Sequence, residues 1–225
     1  MIHAVLFDLD GTLLGNDMDR FMPAYFDCLQ KFVAPHDPSL LIAVREAIRR
    51  PDPRRTVGER FMEAFEREMG RSRDFWIPIF ERFYGEAFPS LRALTAPRVE
   101  ARLLVKGARA RGLRIAVATN PVFPEVAIRQ RLEWAGLGDI PFEWVTTMEN
   151  MHFTKPWPEY YLEVAGHLQV APEACGMIGN AWEQDIEPAR KVGMQTFWVG
   201  EGGDGWSWRN QGDLRRALQW LEDLQ

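Results

Sequence analysis

Cysteine is scarce in this chain. Its 225 residues include two, Cys28 and Cys175, too far apart to suggest a disulfide framework, so a reducing compartment is expected. No apolar run approaches the roughly 20 residues that span a bilayer, and a membrane protein is not expected. Basic residues are not in excess: 27 Lys and Arg face 32 Asp and Glu, a net charge of -5. A global positive field for nucleic acid is therefore absent, which leaves room only for a local basic patch. The opening MIHAVLFDLDG has no basic leader and no small-residue cleavage site, and reads as a strand. Secretion is not expected, and a cytoplasmic location is. Internal repeats and low-complexity tracts are also lacking.

The composition is that of a globular protein, 46% hydrophobic and 26% charged. Ile2 to Phe7 is nearly continuous in apolar residues, as a strand buried on both faces requires. Similar runs recur at Leu113–Thr119, Phe142–Thr146, Ala174–Ile178 and Thr196–Val199. Between them the spacing predicts helices over Arg98–Arg111, Glu125–Ala135, Glu159–Leu168, Asp185–Val192 and Asp213–Leu224. Strands alternating with helices imply an α/β fold with a doubly wound parallel sheet.

Residues 15–95 break that rhythm. Phe21 to Val33 has helical spacing, and Asp37 and Pro38 can start a helix through Arg50. Thr56 and Glu59 form a capping-box pair, and Ser72 precedes the stripe Phe75, Trp76, Ile79, Phe80 and Phe83. The expected organisation is a core of residues 1–14 and 96–225 carrying the active site, split by a helical insert at 15–95.

The densest chemistry lies in Asp8-Leu9-Asp10-Gly11-Thr12, directly after the first apolar run. Two carboxylates two residues apart at a strand's carboxyl end can converge on one ligand. Gly11 permits the sharp turn that follows. In open α/β sheets, ligands bind outside the strand carboxyl ends where the strand order reverses.

With this motif the sequence resembles the haloacid dehalogenase superfamily, and three further motifs follow in the family's order. They are Thr119-Asn120, Lys155 within Thr154-Lys155-Pro156, and Gly179-Asn180 through Asp185. The resemblance implies a Rossmann-like core with an inserted helical cap of the first type. It implies hydrolysis of a small phosphorylated metabolite through an aspartyl-phosphate. Asp8 would be the nucleophile and Asp10 the acid and base. Thr119, Asn120 and Lys155 would bind the phosphoryl group. Mg²⁺ would be held by Asp8, by the Asp10 carbonyl, and near Asn180 and Asp185. The family usually has Asp where Asn180 stands, which bears on the affinity for the metal.

The acid at position 10 favours phosphate esters over haloacids, because halide leaves unprotonated. No His lies in the segment Leu13–Asp19, and Lys31 is the insert's only lysine. Both features favour hydrolysis over mutase or Schiff-base chemistry. The alternatives are a non-catalytic phosphate-binding or regulatory module and a phosphotransferase or mutase. The insert's 13 basic and 13 acidic residues cancel. Arg49, Arg50, Arg54 and Arg55 cluster either as a grip for a second anion or as a solvated helix end. Trp157 and Trp182 either line the rim or pack ordinarily. The expected partner is a small phosphorylated substrate, with neither nucleic acid nor a membrane, and the residues do not specify an oligomeric state.

Overall fold

The computed structural model describes residues 1–33, 45, 51–200 and 210–224. The helix expected from Asp37 to Arg50, and most of the Gly-rich stretch after Val199, lie outside these residues. The strands are β1 (Ala4–Phe7), β2 (Leu14–Asn16), β3 (Thr95–Pro97), β4 (Arg114–Val117), β5 (Trp144–Val145), β6 (Cys175–Gly179), β7 (Gln195–Val199) and β8 (Gln211–Gly212). The helices are α1 (Met18–Val33), α2 (Val57–Met69), α3 (Arg73–Arg82), α4 (Val99–Ala110), α5 (Glu125–Trp134), α6 (Pro158–His167), α7 (Glu187–Lys191) and α8 (Leu214–Asp223).

Six strands form one parallel sheet in the order β5-β4-β1-β6-β7-β8. The chain moves outward from β1 through β4 to β5, crosses back to β6, and moves outward the other way. The order therefore reverses beside β1, and the crevice lies where β1 and β6 end. Both sheet faces are covered, as the apolar runs require. Val5, Phe7, Ile115 and Ile178 enter one apolar layer, while Ala4, Leu6, Ala116 and Met177 enter the other. This is the period-two alternation of a strand, with apolar residues on both sides.

Two elements depart from the expected pattern. β2 and β3 form a separate antiparallel pair, Leu14 opposite Pro97 and Asn16 opposite Thr95, where the chain leaves for the insert and returns. Three residues per strand are too few for a periodic signal. The helix expected over Asp185–Val192 instead begins as a π-helical turn, Trp182–Ile186, before α7.

The helices of the insert pack onto the core. In α2 the capping box is formed: Glu59 N donates to Thr56 Oγ1 at 3.2 Å and Thr56 N to Glu59 Oε2 at 2.8 Å. This start is pinned to the core loop after β5, where Val57 N donates to Met151 O at 2.8 Å and Gly58 N to Met148 O at 2.6 Å. Phe21, Tyr25, Phe83 and Phe88 share one apolar cluster with Phe123 and the inner residues of β1. Phe88 stacks on Trp134 of α5 at 5.2 Å. Burying each such ring contributes roughly 1.5–3 kcal/mol, so this cluster joins the insert to the sheet.

Candidate active site

Asp8 continues the ladder beyond β1, its amide donating to Ile178 O at 2.9 Å. This places its buried carboxylate at the crevice. Lys155 Nζ donates to Asp8 Oδ1 at 2.8 Å and to Asp185 Oδ1 at 2.6 Å. Thr12 Oγ1 donates to Asp8 Oδ2 at 2.8 Å. The second oxygen of Asp185 accepts from Ala181 N at 2.9 Å, which folds the chain back over the end of β6. Gly179 makes room for this: a Cβ there would lie 2.4 Å from Asp185 Oδ2.

Burial and the adjacent Asp185 carboxylate push the Asp8 carboxyl up to about 7, and the Lys155 ammonium only partly opposes them. Burial disfavours the charge on Lys155, but Asp185 and Asp8 outweigh it and hold Lys155 well above the usual lysine range. The Asp8 shift has a definite sign. A carboxyl raised from 3.8 to about 7 binds its proton more tightly folded than unfolded, so its contribution to stability is lost as pH rises through 7. Metal-free wild-type protein should therefore lose stability relative to Asp8→Asn between pH 5 and pH 8. Urea unfolding of both proteins at the two pH values measures this, and a constant or growing advantage for wild type would contradict it.

Asn180 stands just beyond β6, facing the turn at Gly11. Gly11 has φ +78°, and a Cβ on it would lie 2.5 Å from Asn180 Nδ2. With its nitrogen turned inward, the Asn180 amide donates to the Asp10 carbonyl at 3.0 Å, Thr12 Oγ1 at 3.1 Å and Asp8 Oδ2 at 3.3 Å. Thr12 gives its one proton to Asp8, so accepting from Asn180 completes its bonding. Turned over, the same amide offers its oxygen to the point that the Asp8 and Asp10 oxygens face. A carboxylate oxygen, a backbone carbonyl and an amide oxygen are the hard donors that Mg²⁺ takes, so these residues fit the ion. Among the described residues no group of three or more His, Cys, Asp or Glu side chains is arranged around a metal position.

The side chain of Asp10 turns elsewhere. Arg131 Nη1 donates to its Oδ1 at 3.1 Å and its Oδ2 at 2.9 Å. Asn16 Nδ2 donates to Oδ1 at 2.8 Å, and Thr119 Oγ1 reaches Oδ2 at 3.4 Å. Arg131 is fully buried on α5, 4.3 Å from the centre of the Phe123 ring. Its Nε and Nη2 have no hydrogen-bond partner among the described residues. The sequence reading missed Arg131. Its one available signal was a charge on the apolar face of α5, between Ile128 and Leu132.

A buried pair that loses one partner leaves an uncompensated charge, which costs about 3–5 kcal/mol. Arg131→Met should therefore destabilise the protein by about 3 kcal/mol. Adding Asp10→Asn should recover part of that loss, because it removes the stranded carboxylate. Denaturant unfolding of the four proteins of this cycle tests the pairing, and simple additivity would refute it.

Thr119, two residues beyond β4, has a buried side chain, and its carbonyl accepts from Thr146 Oγ1 at 2.7 Å and Tyr160 Oη at 2.8 Å. Tyr160 thereby ties the Lys155 loop to this strand. The next residue, Asn120, has a buried Oδ1 without a partner among the described residues. The residues of all four motifs thus meet at one end of the sheet. Arg54 and Arg55 do not join them: both pair with Asp52, and Arg55 also with Glu63, on an exposed face of the insert. Arg49 and Arg50 lie outside the described residues. Trp157 is exposed, and Trp182 packs edge-on against Trp198 at 5.5 Å.

A sheet that reverses its strand order beside an Asp-x-Asp turn, with a lysine bridging two buried carboxylates, defines a Rossmann-like α/β core with its candidate site at the strand carboxyl ends. The family of haloacid dehalogenase-like hydrolases matches residues 2–193, and the chain belongs to it. A phosphoserine phosphatase of Thermus thermophilus is 32% identical over 142 residues, 63% of this chain and 53% of that protein. A phosphoglycolate phosphatase of Rhodospirillum rubrum is 30% identical over 205 residues, 86% of this chain and 78% of that one. The chain spans about half the length of some curated relatives it matches, 46% and 53% in two cases. In fold it is similar to a 2-haloacid dehalogenase of Pseudomonas syringae, with a TM-score of 0.64, 19% identity and 100% of both chains covered. No helix among the described residues is long and apolar enough to cross a membrane.

Proposed function

We propose that this chain is a Mg²⁺-dependent phosphatase that hydrolyses a small phosphate monoester through an aspartyl-phosphate on Asp8. The observation that carries the reading is the buried Asp8 carboxylate, set at the strand-order reversal and held by Lys155 and Thr12. Phosphatase names among the relatives support the same reaction class.

In this reading an Asp8 oxygen attacks phosphorus, and the bond from phosphorus to the alcohol oxygen breaks. Lys155 remains beside Asp8 and offsets charge on the transferring group. Asp10, entering the cycle as the protonated acid, gives its proton to the leaving alkoxide. A water then attacks the aspartyl-phosphate, Asp10 accepts its proton, and the Asp8 carboxylate is restored as phosphate leaves. Asp10 now accepts from Arg131 and Asn16, so proton delivery requires its carboxyl to turn toward the leaving oxygen. Asp8, the Asp10 carbonyl and Asn180 would hold Mg²⁺, which supplies positive charge for the phosphoryl oxygens when bound. The helical insert at 15–95 serves as the cap that shapes the substrate site.

Release of phosphate from p-nitrophenyl phosphate, with and without Mg²⁺, tests the reaction. It should require the ion and vanish in a folded Asp8→Asn protein. Asp10→Asn should slow alkyl phosphates at least tenfold more than p-nitrophenyl phosphate, whose leaving group needs little protonation. Pre-steady-state timing of the first step gives the comparison, and equal losses would leave Asp10 without its acid role.

Asn180 leads to a separate expectation. Asn180→Asp puts a charged oxygen among the Mg²⁺ donors and should tighten the ion roughly tenfold, about 1.4 kcal/mol. Without Mg²⁺ the new carboxylate repels Asp8, so the metal-free variant should melt below wild type and gain more from added Mg²⁺. Calorimetric titration and thermal melting read both effects. Unchanged affinity would place Asn180 away from the ion.

A further inference from the structure

The sheet ladder fixes which way the backbone faces where β4 runs out. Thr146 N, one residue past β5, donates to Val117 O at 3.0 Å, and Ala118 N donates to Phe7 O of β1 at 2.7 Å. The backbone groups of successive residues in an extended chain face opposite neighbours, so Val117 faces β5, Ala118 faces β1 and Thr119 faces β5 again. The Thr119 carbonyl does point that way. It accepts from Thr146 Oγ1 at 2.7 Å and from Tyr160 Oη, on α6, at 2.8 Å.

The Thr119–Asn120 peptide is trans and planar, so its N–H points opposite to its carbonyl. A carbonyl held toward β5 and α6 turns the Asn120 N–H toward β1, whose end carries Asp8. Among the described residues nothing accepts from this N–H. The direction of the holding bonds is also fixed. Burial lifts the Tyr160 phenol above its ordinary range, so the hydroxyl keeps a proton to donate. A carbonyl oxygen has two lone pairs, and the two hydroxyls take both. Tyr160 and Thr146 are fully buried and Thr119 nearly so. Rotating the peptide would strand two hydroxyls and a carbonyl away from solvent, which makes the observed orientation stiff.

We propose that Tyr160 and Thr146 are positioning residues, which clamp the Thr119 carbonyl and so aim the Asn120 N–H at an oxygen of the phosphoryl group on Asp8. The assignment rests on the phosphatase reading. Asn120 belongs to the motifs behind that reading, whereas Tyr160 and Thr146 lie outside all four of them. Both hydroxyls act through one peptide unit and not by touching the substrate.

Two measurements on the full chain test the clamp. The first is the rate on p-nitrophenyl phosphate at saturating Mg²⁺. Tyr160→Phe keeps the ring and removes the donor. Its kcat should fall about tenfold with KM within about threefold, because a preformed donor matters most while the phosphoryl group is in transfer. Thr146→Val should behave alike, and the two together should lose about a hundredfold. Thr146→Ser keeps a hydroxyl and should recover most of what Thr146→Val loses. The second measurement needs no turnover. Inorganic phosphate added with Mg²⁺ should move the Asn120 amide proton resonance downfield in wild type, and about half as far or less in Tyr160→Phe, as a misaimed donor requires. That pattern without any hydrolysis supports the clamp, and the phosphatase reading alone then fails. Hydrolysis with no phosphate-dependent shift at Asn120 overturns the clamp and leaves the phosphatase reading standing. So do variants that lose stability but keep both kcat and the shift. Neither shift nor hydrolysis overturns both.

Discussion

The Lys155 ammonium is the hinge of the site. It is buried between Asp8 and Asp185, and both carboxylates need it, since an unpaired carboxylate in such a place carries a large desolvation penalty. Much of the local backbone answers to this requirement. Gly179 leaves room for Asp185 to fold back, the Ala181 amide takes its second oxygen, and Tyr160 fastens the lysine loop to the end of β4. The arrangement is costly to assemble and more costly to leave incomplete. It leaves the Asp8 carboxyl with a pKa lifted to about 7, close to the point where a cation can replace its proton.

Arg131 performs a parallel task on the other carboxylate. It extends from α5 and pairs with Asp10, while its guanidinium lies over the Phe123 ring. The described site thus contains three carboxylates, Asp8, Asp10 and Asp185, against two cations, Lys155 and Arg131. One surplus negative charge suits a divalent ion arriving with an anionic ester. Asn180 fits the same balance. Its amide donates to the oxygens around it without adding a charge.

Much of this was legible in the residues. Runs of apolar side chains ended by Asp-x-Asp-Gly-Thr, by Thr-Asn and by Gly-Asn marked the parallel strands and the loops at their carboxyl ends. Lys155 was legible through its motif neighbours. What was hidden depends on distance in the fold. Arg131 lies 121 residues from Asp10, and no local pattern announces that a charge on an apolar helix face has a buried partner. The β2–β3 pair arises because the chain enters and leaves the insert at one point, which is topology and not periodicity. The π-helical turn at Trp182–Ile186 carries Asp185, whose partner Lys155 lies 30 residues away in sequence. The arginines at 54 and 55 were open to two readings, an anion grip or a solvated helix end, and their exposed pairing with Asp52 and Glu63 favours a solvated role.

The central claim is that phosphorus is transferred to the Asp8 carboxylate before water takes it. Rapid quenching during turnover, followed by borohydride, reduces an acyl phosphate to an alcohol and so converts the aspartate that carried it into homoserine. Peptide mass spectrometry then locates the converted residue. The account predicts homoserine at position 8, dependent on both substrate and Mg²⁺. Conversion at another residue, or none at position 8 under conditions where turnover accumulates the intermediate, would contradict it.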